Sequence, residues 1–157
     1  MSRDDEADGR EPDERRDRRH RAREAALQML YQWEVGRTAI EEVLGTYWSI
    51  ERPGEAPLAA PLEAFASELA AGTVDHVAEI DPILAAHAEH WRLTRMAIVD
   101  RLILRLAVFE FLYSRDIPRK VVINEALELA RTFSSDDAVK FVNGILDGIR
   151  RELDAGS

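Results

Sequence analysis

The sequence contains no cysteine among its 157 residues, which excludes disulfide bonds and thiolate metal sites. It also contains no apolar run of the roughly 20 residues that a membrane-spanning helix needs, and its first residues carry no apolar signal-peptide segment. Glycine-rich phosphate loops, nucleophile elbows and paired-carboxylate motifs are absent from the sequence as well. These absences predict a cytoplasmic protein without membrane contact, without a cofactor and without enzymatic activity.

Histidine is the remaining metal-binding residue type, and its distribution does not predict a metal site. His87 and His90 are three residues apart, with Glu89 between them. A zinc site needs a third and a fourth ligand that converge on the same point, and only His76 and carboxylates remain to supply them. We therefore expect no bound metal.

Charge is unevenly distributed along the chain. The net charge is −9, yet residues 15–23 hold six arginines and one aspartate, so this segment is at +5 and the rest of the chain at −14. A polyanion is repelled by most of such a surface and attracted to one face. The arginines also stand at the start of a predicted helix, whose N-terminal dipole of about +0.5 of a charge disfavours cations. Stability therefore does not explain the arginines, whereas a bound phosphate backbone does.

The residue types around the arginines favour one kind of nucleic acid. No predicted helix resembles a helix-turn-helix recognition element, and Tyr31 lies on the same predicted helix as the arginines. Arginine planes and aromatic rings stack on unpaired bases, so single-stranded RNA is the favoured partner. The alternatives at this point are an acidic protein, a membrane surface, or a solvated helix start in which Tyr31 is an aromatic at the edge of the core.

The chain divides into two parts. Residues 1–16 are polar and charged, with Met1 and Ala7 as their only apolar residues, which predicts a disordered N-terminal tail. Residues 17–157 show helical periodicity and predict one helical RNA-binding domain. Gly36 can close its first helix, whose apolar face consists of Ala22, Ala26, Met29, Leu30 and Trp33.

Start signals in the sequence predict six further helices. They are a helix from a capping box at Thr38–Glu41 through Trp48, one that begins near Pro61, one from Asp81-Pro82 through His90, one from Arg95 to Tyr113 capped by Thr94, one from Val121 to Phe133, and one capped by residues 134–137. The helix that ends at Tyr113 is apolar on most sides, as is typical of a central helix. No segment predicts a strand, so the expected fold class is all-α, a compact single-domain bundle of about seven helices.

Two blocks of the sequence resemble the NusB family of transcription antitermination proteins. The first is RHRAREAALQMLYQWE at residues 19–34. The second comprises DRLILRLAVFEF at 100–111 and IPRKVVINEALELARTFSSDDAVKFVNGILDGI at 117–149. The two blocks occur in the same order as in the family, and the number of residues between them also agrees with the family. The similarity covers most of residues 18–150, while 36–92 match only in pattern.

The resemblance implies an all-helical factor that binds the boxA element of ribosomal RNA leader transcripts together with ribosomal protein S10. This complex then joins an elongating RNA polymerase that reads through terminators. The family's RNA-contacting positions fall on Arg18, Arg19, Arg21, Arg23, Tyr31, Asp137 and Phe141. His20 stands where many relatives carry another basic side chain. An acid at Asp137 would repel phosphate and reduce RNA affinity.

Several of these residues also have a structural interpretation. Phe141 lies on the apolar stripe of the last helix, so packing is its stronger interpretation. The resemblance places Asp100, Arg101 and Arg105 near the S10 and RNA surfaces, while intramolecular pairing with Glu110, Glu125 or Asp100 itself is the alternative for the two arginines. A glycine within the last helix, Gly144, is expected to permit close helix contact.

Two other functions remain open at the level of the sequence. One is a helical module of an RNA-modifying enzyme, because similar helical domains precede some ribosomal RNA cytosine methyltransferases. The other is a protein-only adaptor, a homodimer that buries the arginine surface when RNA is absent. The acidic residues 1–14 are a further candidate for screening the arginines in the RNA-free state.

Overall fold

The computed structural model describes residues 12–88 and 93–156, and within these ranges every regular element is helical. The seven α-helices are α1 (Pro12–Glu34), α2 (Ile40–Tyr47), α3 (Ala60–Asp75), α4 (Val77–His87), α5 (Ile98–Tyr113), α6 (Arg119–Phe133) and α7 (Asp136–Ala155). One 3-10 turn, Leu93–Arg95, precedes α5. The all-α fold class and the number of helices are therefore as predicted. No helix in the described ranges is long and apolar enough to cross a membrane.

The helix α5 is the centre of the bundle. It packs against α1, α3, α4, α6 and α7, and nine of its side chains are buried. Because its sequence IVDRLILRLAVFEFLY is apolar on most sides, other helices must surround it. The predicted central helix is thereby confirmed, although it begins at Ile98 with Ala97 at the N-cap and not at Arg95 after Thr94.

The helix α1 packs chiefly against α3, and its predicted apolar face is confirmed. Ala22, Ala26, Met29 and Leu30 have no exposed surface, and Trp33 is partly buried against the core. The helix begins at Pro12, about five residues before the predicted start, so residues 12–16 of the predicted tail are helical. Proline is favoured in the first helical turn, and most of the residues that follow it are good helix formers. Residues 1–11 of the predicted tail lie outside the described residues.

Two predicted helix starts are wrong. The capping box at Thr38–Glu41 does not form, because Ala39 is the N-cap of α2 and no side chain caps the helix. The helix predicted to start at Asp81-Pro82 begins at Val77, which leaves Pro82 inside α4. Pro82 is the sixth residue of α4, beyond the N–H groups that lack a partner, so it removes one backbone hydrogen bond, the one to the Ala78 carbonyl.

The start of α7 agrees with the sequence. Ser135 is the N-cap, and its hydroxyl oxygen accepts a hydrogen bond of 3.1 Å from the Ala138 backbone N–H.

The prediction of a close helix contact at Gly144 in α7 is wrong, because a Cβ added at this position would meet nothing within 4 Å. The close contact is instead at Gly72 in α3, where a Cβ would lie 2.2 Å from the Phe109 ring.

The turn after α1 depends on a glycine for space. A Cβ on Gly36 would lie 2.6 Å from the Gln32 carbonyl oxygen, which no side chain can accommodate. The left-handed residue of this turn is Arg37, with φ of 53°, and not the glycine. Gly36 thus closes α1 as predicted, but through close approach to the last turn of the helix.

Candidate nucleic-acid interface

Three of the predicted RNA-binding arginines are partly exposed on the first half of α1. They are Arg18, Arg19 and Arg21. The guanidinium carbon of Arg19 lies 6.0 Å from the centre of the Phe65 ring in α3. Arg21 donates a hydrogen bond to the backbone carbonyl of Ala56 in the loop before α3. Contacts of this kind orient the guanidinium groups while part of each remains open to solvent.

The structure removes Arg23 from the predicted RNA-contacting set. Its side chain is 3% exposed, and its Nε and Nη2 donate to the two carboxylate oxygens of Glu110 in α5 at 3.0 and 2.8 Å. The Phe65 ring lies 5.3 Å from the guanidinium carbon. An arginine that is buried and held by two hydrogen bonds to one carboxylate cannot reach an RNA strand. The prediction for Arg23 is therefore wrong, because the position faces the core.

His20 links the arginine-bearing turn to α6. Its Nδ1 lies 2.6 Å from Oε2 of Glu125, and its Nε2 lies 3.1 Å from Oε1 of Glu24. The hydrogen bond to Glu125 raises the pKa of His20, burial opposes this rise, and the charges of Glu125, Glu24 and Glu128 add to it. His20 thus belongs to an ionic cluster at the edge of the arginine surface.

The other predicted RNA-contacting residues come from two different helices. Tyr31 is 46% exposed near the end of α1, ten residues beyond Arg21. Asp137 is exposed in the first turn of α7, whereas Phe141 is partly buried and packs against the core. The packing interpretation of Phe141 therefore agrees with the structure. The helix α6 contacts both α1 and α7, so it connects the arginine-bearing helix to the one that carries Asp137.

A groove of about 700 Å³ opens beside Arg21, between α1, the end of α2 and the loop that follows it. Its lining includes two arginines and four glutamates: Arg21, Arg52, Glu24, Glu51, Glu55 and Glu63. The Arg52 guanidinium already lies 3.6 Å from the centre of the Tyr47 ring. The excess of carboxylates disfavours phosphate in this groove.

A second set of polar residues lies where the end of α1 meets the start of α5. Arg101 donates to Glu34 at 2.6 Å, and Arg105 binds both oxygens of Asp81 in α4 at 2.8 Å each. The two arginines are therefore paired within the chain, as the structural alternative predicted, but with partners other than those expected. The expected partners Glu110 and Glu125 are bound to Arg23 and His20 instead.

The hydrogen-bonding groups of this second set do not all have partners within the described residues. Asp100 Oδ1, Arg101 Nε and Arg105 Nη1 are buried atoms for which the described residues supply no hydrogen-bond partner. Buried polar atoms in folded proteins nearly always have a partner. Exposed apolar side chains lie close to these residues along the chain, namely Tyr31 in the last turn of α1, Val35 directly after that helix and Ile98 at the start of α5. A protein surface seated here would cover the apolar side chains, whereas the three buried atoms are closed off from the surface.

The structure also bears on the histidines that were considered as metal ligands. His90 and Glu89 lie outside the described residues. His87 Nε2 lies 2.5 Å from Oε2 of Glu152, and His76 Nδ1 lies 2.8 Å from the Gly72 carbonyl oxygen. Within the described part of the chain, no group of three or more histidines and carboxylates is arranged to hold a metal ion.

A sequence model of the NusB family matches residues 20–151. The chain belongs to the NusB family. The transcription antitermination protein NusB of Solibacter usitatus (strain Ellin6076) is 47% identical over 135 residues, which are 86% of this chain and 90% of that relative. Such relatives are transcription antitermination factors and not enzymes, so the prediction of a non-enzymatic member of the NusB family is confirmed.

Solved NusB structures share the fold of this NusB-family chain. NusB of T. maritima superposes with a TM-score of 0.74 at 35% identity, over 85% of this chain and 91% of that one. A second neighbour is described as antitermination factors NusB and NusE in complex with dsRNA; it has a TM-score of 0.70 at 27% identity, over 86% of this chain and 97% of the other. The range matched by the sequence model of the NusB family begins at His20, so Arg18 and Arg19 lie before it.

Proposed function

We propose that this protein binds boxA-type leader RNA through the arginines on the first half of α1 and docks ribosomal protein S10 (NusE) where α1 meets α5. With S10 and RNA bound, it joins an elongating RNA polymerase and permits transcription through terminators. A factor that acts on nascent transcripts works in the cytoplasm. The observation that carries the RNA-binding part is the partial exposure of Arg18, Arg19 and Arg21 on the most cationic segment of an acidic chain.

The electrostatics of the first half of α1 support phosphate binding. Because α1 begins at Pro12, Arg18, Arg19 and Arg21 lie beyond its first turn, where the helix dipole has little effect on them, so the dipole argument made from the sequence does not apply. Guanidinium groups bind phosphate oxygens through paired hydrogen bonds, and this is the interaction that favours a phosphate strand here. Each phosphate contact on a single strand contributes about 0.7 to the slope of log affinity against log salt. The three exposed arginines therefore contribute about 2 to that slope.

The junction of α1 and α5 supports a protein partner. It combines the exposed apolar side chains of Val35 and Ile98 with the partly exposed carboxylate residue Asp100. An apolar patch with polar groups at its edge is the usual anatomy of a protein interface. Tyr31 lies between this patch and the arginines, so it is available to either partner. The RNA-bound NusB–NusE neighbour supports assembly of both partners on one such fold.

The RNA-binding proposal is tested with a triple variant, Arg18→Gln, Arg19→Gln and Arg21→Gln. Filter binding with boxA-like and scrambled RNA, as single strands and as duplexes, measures affinity and salt slope. We expect the affinity of the triple variant for boxA-like RNA to be at least tenfold lower. We also expect its slope of log affinity against log salt to be smaller in magnitude by about 2. The matched control removes the same charge elsewhere and consists of Arg115→Gln, Arg119→Gln and Arg151→Gln. Undiminished RNA binding by the first variant, with the fold intact, contradicts the proposal.

The S10 surface is tested with Asp100→Ala. We expect weaker binding to S10 in isothermal titration and unchanged binding of RNA by the variant alone. Asp116→Ala removes an exposed aspartate away from this junction and serves as the control. Equal S10 affinity in the Asp100 variant contradicts the assignment. Sedimentation of the free protein with and without RNA tests the homodimer alternative, since a dimer that dissociates when RNA is added uses the arginine surface for self-association.

A further inference from the structure

His20 has a carboxylate at each of its two ring nitrogens. Glu125 Oε2 lies 2.6 Å from Nδ1, and Glu24 Oε1 lies 3.1 Å from Nε2. An ionised carboxylate can only accept hydrogen bonds, and a neutral imidazole carries one N–H group. The contact with Glu125 is a hydrogen bond, and the contact with Glu24 is an ion-pair contact. A neutral ring that donates from Nδ1 would turn the lone pair of Nε2 toward the Glu24 carboxylate, so the arrangement favours a positively charged imidazolium.

The surroundings of His20 favour that charged form. The groups that act on it are Glu24 from α1 itself and Glu125 and Glu128 from α6. The side chain of Glu125 is 8% exposed and that of His20 is 20% exposed, so solvent screens this pair only in part. The hydrogen bond to Glu125 is the main cause of the raised pKa of His20, and desolvation acts against it.

We propose that His20 is a positioning residue of the RNA surface that functions only while its imidazole is protonated. The imidazolium holds the arginine-bearing turn of α1 against α6 and cancels the negative charge of Glu24 and Glu125. This inference rests on the proposed function, because it concerns the same RNA surface. It adds that RNA binding is linked to a proton on a residue that need not touch RNA.

The loss of that proton has two effects on the neighbouring arginines. Glu24 and Glu125 lose the opposing charge of His20, although Glu125 still interacts with the charge of Arg23, and their net negative charge near the proposed RNA surface increases and repels phosphate. They also become free to compete for the guanidinium groups of Arg19 and Arg21. Because a bound phosphate strand favours the charged imidazole in turn, RNA binding is accompanied by proton uptake wherever His20 is neutral in the free protein.

The test is the pH profile of RNA affinity between about pH 6 and pH 9 at constant salt, a range in which a shifted histidine titrates. The probe is the boxA-like single strand used above. We expect wild-type affinity to be constant at the acidic end and to fall about fivefold as His20 deprotonates, the effect of roughly one unit-charge contact at a solvated surface. His20→Gln is expected to bind weakly at every pH, and His20→Arg to bind tightly at every pH.

The control is His87→Gln. His87 is also a histidine paired with a glutamate, at 2.5 Å from Glu152, but it lies on α4 and contacts α7. This variant should keep the wild-type pH profile. Glu125→Gln provides a second measurement that does not depend on removing His20: it should move the pH transition of RNA affinity to lower pH.

Three results overturn the inference. They are a wild-type pH profile in His20→Gln, a flat profile in His87→Gln, and an unmoved transition in Glu125→Gln. These outcomes are separable from failure of the proposed function: if the Arg18, Arg19 and Arg21 triple variant binds RNA as well as wild type, the RNA surface itself is wrong. If the triple variant loses RNA while His20→Gln keeps its pH profile, only the inference about His20 fails.

Discussion

Arg23→Met should destabilise the fold, so this variant alone does not test RNA binding. Arg23 is nevertheless one of the arginines that the family resemblance predicted to contact RNA. The side chains of Arg23 and Glu110 are 3% and 2% exposed, and two hydrogen bonds join them. Removing one partner of a buried ion pair leaves an uncompensated charge, which costs about 3–5 kcal/mol. Domains of this kind have a total free energy of unfolding of about 5–15 kcal/mol, so the loss is a large fraction of it.

The double variant Arg23→Met, Glu110→Met separates folding from binding. Replacing both members of a buried ion pair by apolar side chains of similar size is often neutral or stabilising by about 1–4 kcal/mol. Urea unfolding followed by circular dichroism measures all three proteins. With a slope of about 1–3 kcal/mol per molar urea, the single variant should unfold at least 1 M earlier than wild type. The double variant should recover the wild-type midpoint and keep its RNA affinity within about twofold.

Two results would refute this reasoning. If Arg23→Met unfolds within about 1 kcal/mol of wild type, the pair is not the buried element that the structure describes. If the double variant folds normally but loses RNA as the Arg18, Arg19 and Arg21 triple variant does, Arg23 contacts RNA after all. A substitution of four arginines that includes Arg23 would mix these effects, which is why the test of the RNA surface leaves Arg23 unchanged.

Three further predictions concern single residues. Asp137→Asn removes a negative charge from the start of α7 and should tighten RNA binding about two- to fivefold in a titration at fixed salt; unchanged or weaker binding counts against its placement near the RNA. Gly144→Ala should raise the free energy of unfolding by about 1 kcal/mol because the site is exposed and helical, whereas Gly72→Ala should lower it by about 1–3 kcal/mol because its Cβ meets the Phe109 ring; urea titrations that rank the two variants in the opposite order contradict the packing. Because the pKa of His20 is raised above 6.5, its stabilising contribution is complete below about pH 6.5 and is lost as the pH rises through the folded-state pKa; the stability difference between wild type and His20→Gln should therefore shrink at alkaline pH, and a constant difference would contradict the ionic cluster.

The periodic apolar residues allowed most of the fold to be predicted from sequence. Ala22, Ala26, Met29 and Leu30 lie at helical spacing, and the structure buries all four. Helix ends were harder to predict, because a capping motif such as that at Thr38 competes with packing. In α2 the burial of Ile40 and Val43 sets the start of the helix, and the hydroxyl of Thr38 is not used as a cap.

Which arginines are exposed and which are buried could not be predicted from the arginine-rich segment alone. Arg21 and Arg23 are two residues apart and of the same type, yet one reaches the surface and the other reaches Glu110. The signal for the difference lies elsewhere in the chain: an acid in the middle of the apolar stretch LAVFEFLY requires a buried cation as its partner. The choice of Arg23 as that cation depends on how α1 docks on α5, which local sequence does not specify.

The unbroken length of α1 has a mechanical consequence. A helix of 23 residues is about 35 Å long, and in this protein its leading half bears the cationic side chains while its trailing half is embedded in the bundle. Because the buried groups of the second half anchor this rod, its first half is held in a fixed orientation to the bundle. Under the proposed function, a pull on a bound transcript would therefore act on the whole domain and not on α1 alone.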